Sequence, residues 1–211
     1  MNYRAVIFDL GGVVLESPLH EIARFEDDRR LPEGFINHVV VATGSSGAWA
    51  RLERGELPLE TFYDAFSEDC AAQGFTLDAR ELMECIGRAA TPRAGMLAAI
   101  AILRTQGFRV AALTNTWVGE DGAAAGAELR PLFDVVVESS AVGLHKPDPR
   151  IYTLTCERLG ILPTEAVFLD DIGRNLKAAR ELGMRTIRVN DPSQALVELE
   201  ELLGIRLRAR P

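Results

Sequence analysis

Asp9 closes the first apolar run of the chain, Arg4-Ala5-Val6-Ile7-Phe8-Asp9-Leu10-Gly11-Gly12-Val13. A carboxylate in such a place can attack an electrophile or hold a cation, provided a strand delivers it to an open sheet edge. It can also simply make a turn. Two adjacent acids close another apolar run, in Val167-Phe168-Leu169-Asp170-Asp171-Ile172-Gly173-Arg174-Asn175. A helix cap uses one of them and leaves the other unexplained. Thr114, in Leu113-Thr114-Asn115-Thr116, offers a hydroxyl beside the Asn115 backbone N–H. Together they could hold a phosphoryl oxygen, although a lone Thr equally turns a chain or caps a helix. Lys146, in Gly143-Leu144-His145-Lys146-Pro147-Asp148-Pro149, precedes a proline that holds its backbone extended. Its ammonium could reach a phosphate or balance carboxylates; a solvated loop lysine is the plainer alternative. His145 reads as a loop residue rather than a ligand. Three carboxylates at one edge cannot all stay ionised without cations. Lys146 supplies one positive charge, and an all-oxygen, water-rich site suits Mg²⁺ better than Zn²⁺ for the rest.

The elements that position these residues follow from the hydrophobic pattern. Four strand-like runs follow the first, at 108–113, 133–137, 166–169 and 186–189. Each is nearly all apolar, which predicts burial on both faces. Helical stretches at 94–104, 150–159, 175–182 and 194–203 separate them. Strand-helix alternation of this kind predicts an α/β fold with a doubly wound parallel sheet. Ligands then sit at the carboxyl edge of the strands, where Asp9, Asp170 and Asp171 meet if strands one and four are neighbours. Asp148-Pro149 reads as an N-cap followed by Pro at N1, and Gly160 and Gly183 as helix stops.

The segment between Pro18 and Pro92 has no convincing strand. Leu59, Phe62, Tyr63 and Phe66 share one helical face, and Leu82, Met83 and Ile86 begin another. Gly44-Ser45-Ser46-Gly47 reads as a loop between helices. The division expected is a core of residues 1–17 and 91–211 with an inserted all-helical cap, residues 18–90.

The 211 residues carry a formal net charge of −8, with 47% hydrophobic and 26% charged residues. Such an acidic chain is a poor partner for nucleic acid. The basic tail Arg206-Leu207-Arg208-Ala209-Arg210 reads as solvated surface. Cys70, Cys85 and Cys156 form no metal or disulfide pattern, which fits a reducing cytoplasm. No leader or membrane-spanning run is evident. A monomer or homodimer acting on a small molecule is expected.

In these motifs the chain resembles the haloacid dehalogenase superfamily, in the branch with a helical cap between the first strand and the rest of the core. Four elements match in order: Phe8-Asp9-Leu10-Gly11-Gly12-Val13, Leu113-Thr114-Asn115-Thr116, Lys146-Pro147-Asp148-Pro149 and Phe168-Leu169-Asp170-Asp171. Through Leu113 to Trp117 and Phe168 to Lys177 it more closely resembles the N-terminal phosphatase domain of soluble epoxide hydrolases. It is also similar to the corresponding region of certain acyl-CoA dehydrogenases, which share the Asp-x-Gly-Gly-Val form. The resemblance covers essentially the whole chain. With the chain ending at Pro211, no epoxide-hydrolase domain is expected after it.

The resemblance implies roles. Asp9 is the nucleophile, forming an aspartyl-phosphate. Asp9, the Gly11 carbonyl and Asp171 bind Mg²⁺, with Asp170 supporting the metal from behind. Thr114, Asn115 and Lys146 bind the phosphoryl group, and Asn175 orients the site. Trp117 either walls the substrate pocket or packs in a core. Arg51 and Arg54 could contact an anionic tail, unless they are simply solvated helix charges.

Gly11 departs from the family pattern. Most of its phosphatases carry there a second Asp that protonates the leaving oxygen and later activates water. A positioned acid or base contributes about 10²–10⁴-fold. Three functions follow in order: a phosphatase of small organic phosphates, which the missing acid could slow; a phosphate-binding or regulatory protein of weak turnover; and a metal-independent 2-haloacid dehalogenase. His20 in the cap is the first stand-in for the missing acid.

Overall fold

The computed structural model describes residues 2–88, 90–120 and 122–207. Its sheet has five parallel strands: β1 (Ala5–Phe8), β2 (Arg109–Thr114), β3 (Val135–Glu138), β4 (Ala166–Asp170) and β5 (Arg185–Arg188). Their order is β3-β2-β1-β4-β5. β1 therefore lies between β2 and β4, with Phe8 paired to Ala112 on one side and Leu169 on the other. The chain runs outward from β1 to β3, then returns to the other side for β4. That reversal opens a crevice at the carboxyl edge beside β1.

The helices are α1 (Pro18–Asp28), α2 (Phe35–Thr43), α3 (Ala48–Glu53), α4 (Leu59–Ala72), α5 (Ala79–Arg88), α6 (Ala94–Thr105), α7 (Ser139–Val142), α8 (Pro149–Leu159), α9 (Gly173–Glu181) and α10 (Pro192–Leu203). Alternation along the strands builds two core layers. Val6, Phe8, Val167 and Leu169 face α6 and α10. Ala5, Ile7, Ala166 and Phe168 face α8 and α9. Continuous apolar runs are thus explained for β1 and β4, which are buried throughout. The edge strands β3 and β5 are only partly buried, against the expectation for every strand, because each lacks one neighbour.

Helix punctuation works as the residues suggest. Asp148 accepts from the Arg150 N–H and Pro149 opens α8. Gly160 closes α8 in the left-handed region. Gly44 to Ser46 form a short 3₁₀ turn rather than irregular loop. Leu207 is buried in the first core layer, so only part of the basic tail can be solvated; Arg208 to Arg210 lie outside the described residues.

Helices α1 to α5 form the inserted helical cap, with an apolar cluster of their own around Phe62 and Phe66. These rings stack at 5.3 Å, and Trp49 meets the Phe66 edge at 5.3 Å. Burying such rings contributes about 1.5–3 kcal/mol each. The two connections to the sheet run side by side. Glu16 N–H donates to the Thr91 carbonyl at 2.9 Å, and Arg93 N–H to that of Val14 at 2.9 Å. Trp117, from the loop after β2, packs its ring 6.1 Å from Trp49 and joins core to cap. No helix among the described residues is long and apolar enough to cross a membrane.

Candidate active site

Three strands end in the residues that could do chemistry: β1 before Asp9, β2 in Thr114 and β4 in Asp170. The sheet register alone brings them together. Lys146, from the loop before α8, inserts its ammonium between two of them. Nζ lies 2.8 Å from Asp9 Oδ2 and 2.8 Å from Asp170 Oδ2. All three side chains are buried.

Asp170 is saturated by the protein. Oδ1 accepts from the Ile172 N–H at 2.7 Å and Oδ2 from Lys146, while Asn175 Nδ2 donates to both oxygens at 3.2 and 3.1 Å. Asp9 Oδ1 accepts from the Leu10 N–H at 2.7 Å. Asp171 differs, since no other described residue donates a hydrogen bond to its carboxylate. Its ligand oxygen, with one each from Asp9 and Asp170, belongs to a set lying within 4.8 Å of one another.

Burial raises the Asp9 carboxyl to about 8, with Asp170 and Asp171 adding to the rise and Lys146 opposing it. Burial and then Asp170 raise Asp171 to about 6. Burial alone would lower the Lys146 amine, but Asp170 and Asp9 carry it above its ordinary value. The cluster is therefore short of positive charge. Its all-oxygen donor set fits a hard divalent cation.

Asn115 clamps the Lys146 backbone: Oδ1 accepts from the Lys146 N–H at 2.8 Å, and Nδ2 donates to its carbonyl at 3.0 Å. The Thr114 hydroxyl donates to the Asn115 carbonyl at 3.3 Å. Asn175 Oδ1 is buried without a partner. Gly11 has φ −63° and ψ 128°, and its neighbour Gly12 takes the left-handed conformation at φ 78°.

Asp9, Gly11, Thr114, Asn115, Lys146, Asp171 and Asn175 line the polar end of a cavity of about 810 Å³ between sheet edge and cap. Leu19, Ile22, Val40, Met83 and Ile86 of the cap form its apolar wall, and Trp117 lines it as well. Asp170 sits directly behind the polar end, held against Lys146, while three other candidates from the sequence lie outside the cavity. Arg51 and Arg54 do not line it; Arg54 is engaged by Glu56 and the Ser45 carbonyl. His20 is exposed on α1 and does not line it either. Two cap residues escaped sequence reasoning. Arg80 reaches the cavity and pairs with Glu120, which also accepts from Tyr63 Oη at 3.1 Å. Glu53 reaches it from α3. Their linear surroundings carry no signal, because the partners lie on the other layer.

A profile of the haloacid dehalogenase-like hydrolases matches residues 3–183. Acyl-CoA dehydrogenase family member 10 of Mus musculus is 39% identical over 98% of this chain and 20% of its own length. Bifunctional epoxide hydrolase 2 of Sus scrofa is 39% identical over 100% of this chain and 40% of its own length. The chain thus spans less than half of either relative. Phosphatase MT3486 of Mycobacterium tuberculosis is 38% identical, covering 92% of this chain and 90% of its own. Among solved structures, a predicted haloacid dehalogenase-like hydrolase from Porphyromonas gingivalis shares the fold, with TM-score 0.70, 23% identity and coverage of 96% and 98% of the two chains. An enzyme of the family from Bacteroides thetaiotaomicron, crystallised with magnesium and inorganic phosphate, has TM-score 0.61 and 21% identity, covering 92% of this chain and 98% of its own.

Proposed function

The chain belongs to the haloacid dehalogenase-like hydrolase family, and within it we propose a Mg²⁺-dependent phosphatase of small organic phosphate monoesters. The carrying observation is the Lys146 ammonium bridging Asp9 and Asp170 while the Asp171 carboxylate beside them takes a hydrogen bond from no other described residue. A site built this way lacks one cation and faces an open cavity.

Asp9 attacks phosphorus through a carboxylate oxygen. The new O–P bond forms as the bond to the leaving oxygen breaks, giving an aspartyl-phosphate and the leaving group's oxyanion, which takes its proton from water to become the alcohol. Water then hydrolyses that acyl phosphate, releasing inorganic phosphate and regenerating Asp9. Lys146 and the Thr114 hydroxyl neutralise and hold the phosphoryl oxygens, since catalysis of this transfer is mostly positioning and electrostatics. Asp170 orients the Lys146 ammonium, and Asn175 orients Asp170. Asp9, the Gly11 carbonyl and Asp171 would hold Mg²⁺, which supplies charge neutralisation to the phosphoryl group. The apolar wall of the cavity favours leaving groups with hydrocarbon bulk.

Gly11 supports a second reading, a phosphate-binding protein of weak turnover, because no acid occupies the position beside the nucleophile. Release of phosphate and of chloride, each measured with and without EDTA, separates the alternatives. Phosphate release abolished by EDTA supports the phosphatase. Chloride release from a 2-haloacid in EDTA would overturn it in favour of the dehalogenase.

A further inference from the structure

Glu53 is carried by the cap, yet its carboxylate reaches the two core residues that surround Lys146. Oε1 accepts from Trp49 Nε1 on the same helix at 3.1 Å. Oε2 accepts from Asn115 Nδ2 at 2.9 Å and lies 3.1 Å from His145 Nδ1. The Glu53 side chain is only 16% exposed. Two other cavity carboxylates, Glu16 and Glu120, are paired with Arg93 and Arg80 and are more than half exposed.

The Asn115 amide has a donor end and an acceptor end, and its orientation decides whether it can hold Lys146. In the observed orientation Nδ2 donates to the Lys146 carbonyl and Oδ1 accepts from the Lys146 N–H. Reversed, donor would face donor and acceptor would face acceptor. A carboxylate can only accept, so Glu53 permits the observed orientation alone. His145, directly before Lys146, is gripped by the same oxygen.

We infer that Glu53 is a positioning residue: docked from the cap, it locks the Asn115 amide and so fixes the Lys146 backbone behind the ammonium that bridges Asp9 and Asp170. The lysine is then correctly set only when cap and core are engaged. The kinetic consequence rests on the phosphatase role proposed for Lys146; the structural one does not.

Glu53→Leu keeps the bulk and removes the acceptor, while Glu53→Gln keeps one acceptor oxygen. With p-nitrophenyl phosphate and Mg²⁺, Glu53→Leu is expected to lower kcat by about 10- to 100-fold with a smaller change in KM. Glu53→Gln should recover most of that loss. The double variant Glu53→Leu/Asn115→Ala should be no slower than Asn115→Ala alone, because both act through one contact. Additive losses would overturn the inference. A second measurement needs no turnover: acylation of lysine amines, followed by peptide mass. Lys146 should label faster in Glu53→Leu than in wild type, with the exposed Lys177 unchanged. Unchanged Lys146 labelling in the folded variant would overturn the inference. If the wild type releases no phosphate, the phosphatase reading fails and the labelling result alone decides the role of Glu53. If Glu53→Leu does not fold, Glu53→Ala carries the same labelling comparison.

Discussion

The Asp171 carboxylate fills the space that a side chain at Gly12 would need: a Cβ there would lie 2.1 Å from Asp171 Oδ2. Gly12 also has φ +78°, which an L side chain rarely adopts. The glycine is therefore what lets Asp171 close on the nucleophile loop. Gly12→Ala should cost about 1–3 kcal/mol in backbone strain and push Asp171 aside. Thermal melting and calorimetric titration with Mg²⁺ should show lower stability and weaker binding together. Wild-type Mg²⁺ affinity in this variant would mean that the glycine does not hold Asp171 in place.

Burial raises Asp9 to about 8 and Asp171 to about 6, both from the ordinary aspartate value of 3.8. Each group binds its proton more tightly in the folded chain than in the unfolded one. The stability this contributes is complete below about pH 4. It is lost as pH rises through about 6 for Asp171 and about 8 for Asp9. In EDTA the melting temperature should therefore fall across this range. Mg²⁺ should restore it at the alkaline end, by binding the ionised carboxylates of the folded state. Asp171→Ala should flatten the slope and remove most of the Mg²⁺-induced rise. A full rise in that variant would remove Asp171 from the metal site.

Asp9→Asn tests the nucleophile. An amide cannot form the acyl phosphate, so phosphate release should fall to background. The substitution is nearly isosteric and relieves crowding among three acids, so the variant should fold. Acid-quenched wild-type protein should carry phosphate from labelled substrate, and the variant none. Turnover above a few per cent of wild type would exclude Asp9 from this role.

Much of this site is legible in the sequence because Asp9, Thr114 and Asp170 each close an apolar run. Neighbouring parallel strands must place such residues at one edge. The role of Glu53 is not legible. It lies 62 positions from Asn115 and 92 from His145, and only docking of α3 onto the sheet edge joins them. His145 reads as loop for the same reason. The cap's aromatic and aliphatic stripes are visible as helical faces. Which of their residues turn toward the cavity depends on helix packing, and no periodicity encodes that. Leu207 is similar, since an apolar residue between arginines reads as tail until α10 places it against the core.

Gly11 sets the final prediction. Without an acid beside the nucleophile, turnover should depend on leaving groups that depart unprotonated. Aryl phosphates should react measurably, and alkyl phosphates much more slowly. The structure also removes the steric objection to restoring the acid. Gly11 is extended at φ −63° and ψ 128°. A Cβ there would approach only Pro18 Cδ, at 3.9 Å. Gly11→Asp should therefore fold and project a carboxyl into the cavity that Gly11 lines. It should raise kcat/KM for alkyl phosphates by up to about 10²-fold, with a much smaller gain for aryl ones. The check is a series of kcat/KM values against leaving-group pKa for both proteins. A steep dependence in the wild type that flattens in Gly11→Asp is the expected result. A flat dependence in the wild type would show that another residue already donates the proton. His20, exposed and outside the cavity, is not placed to be that residue.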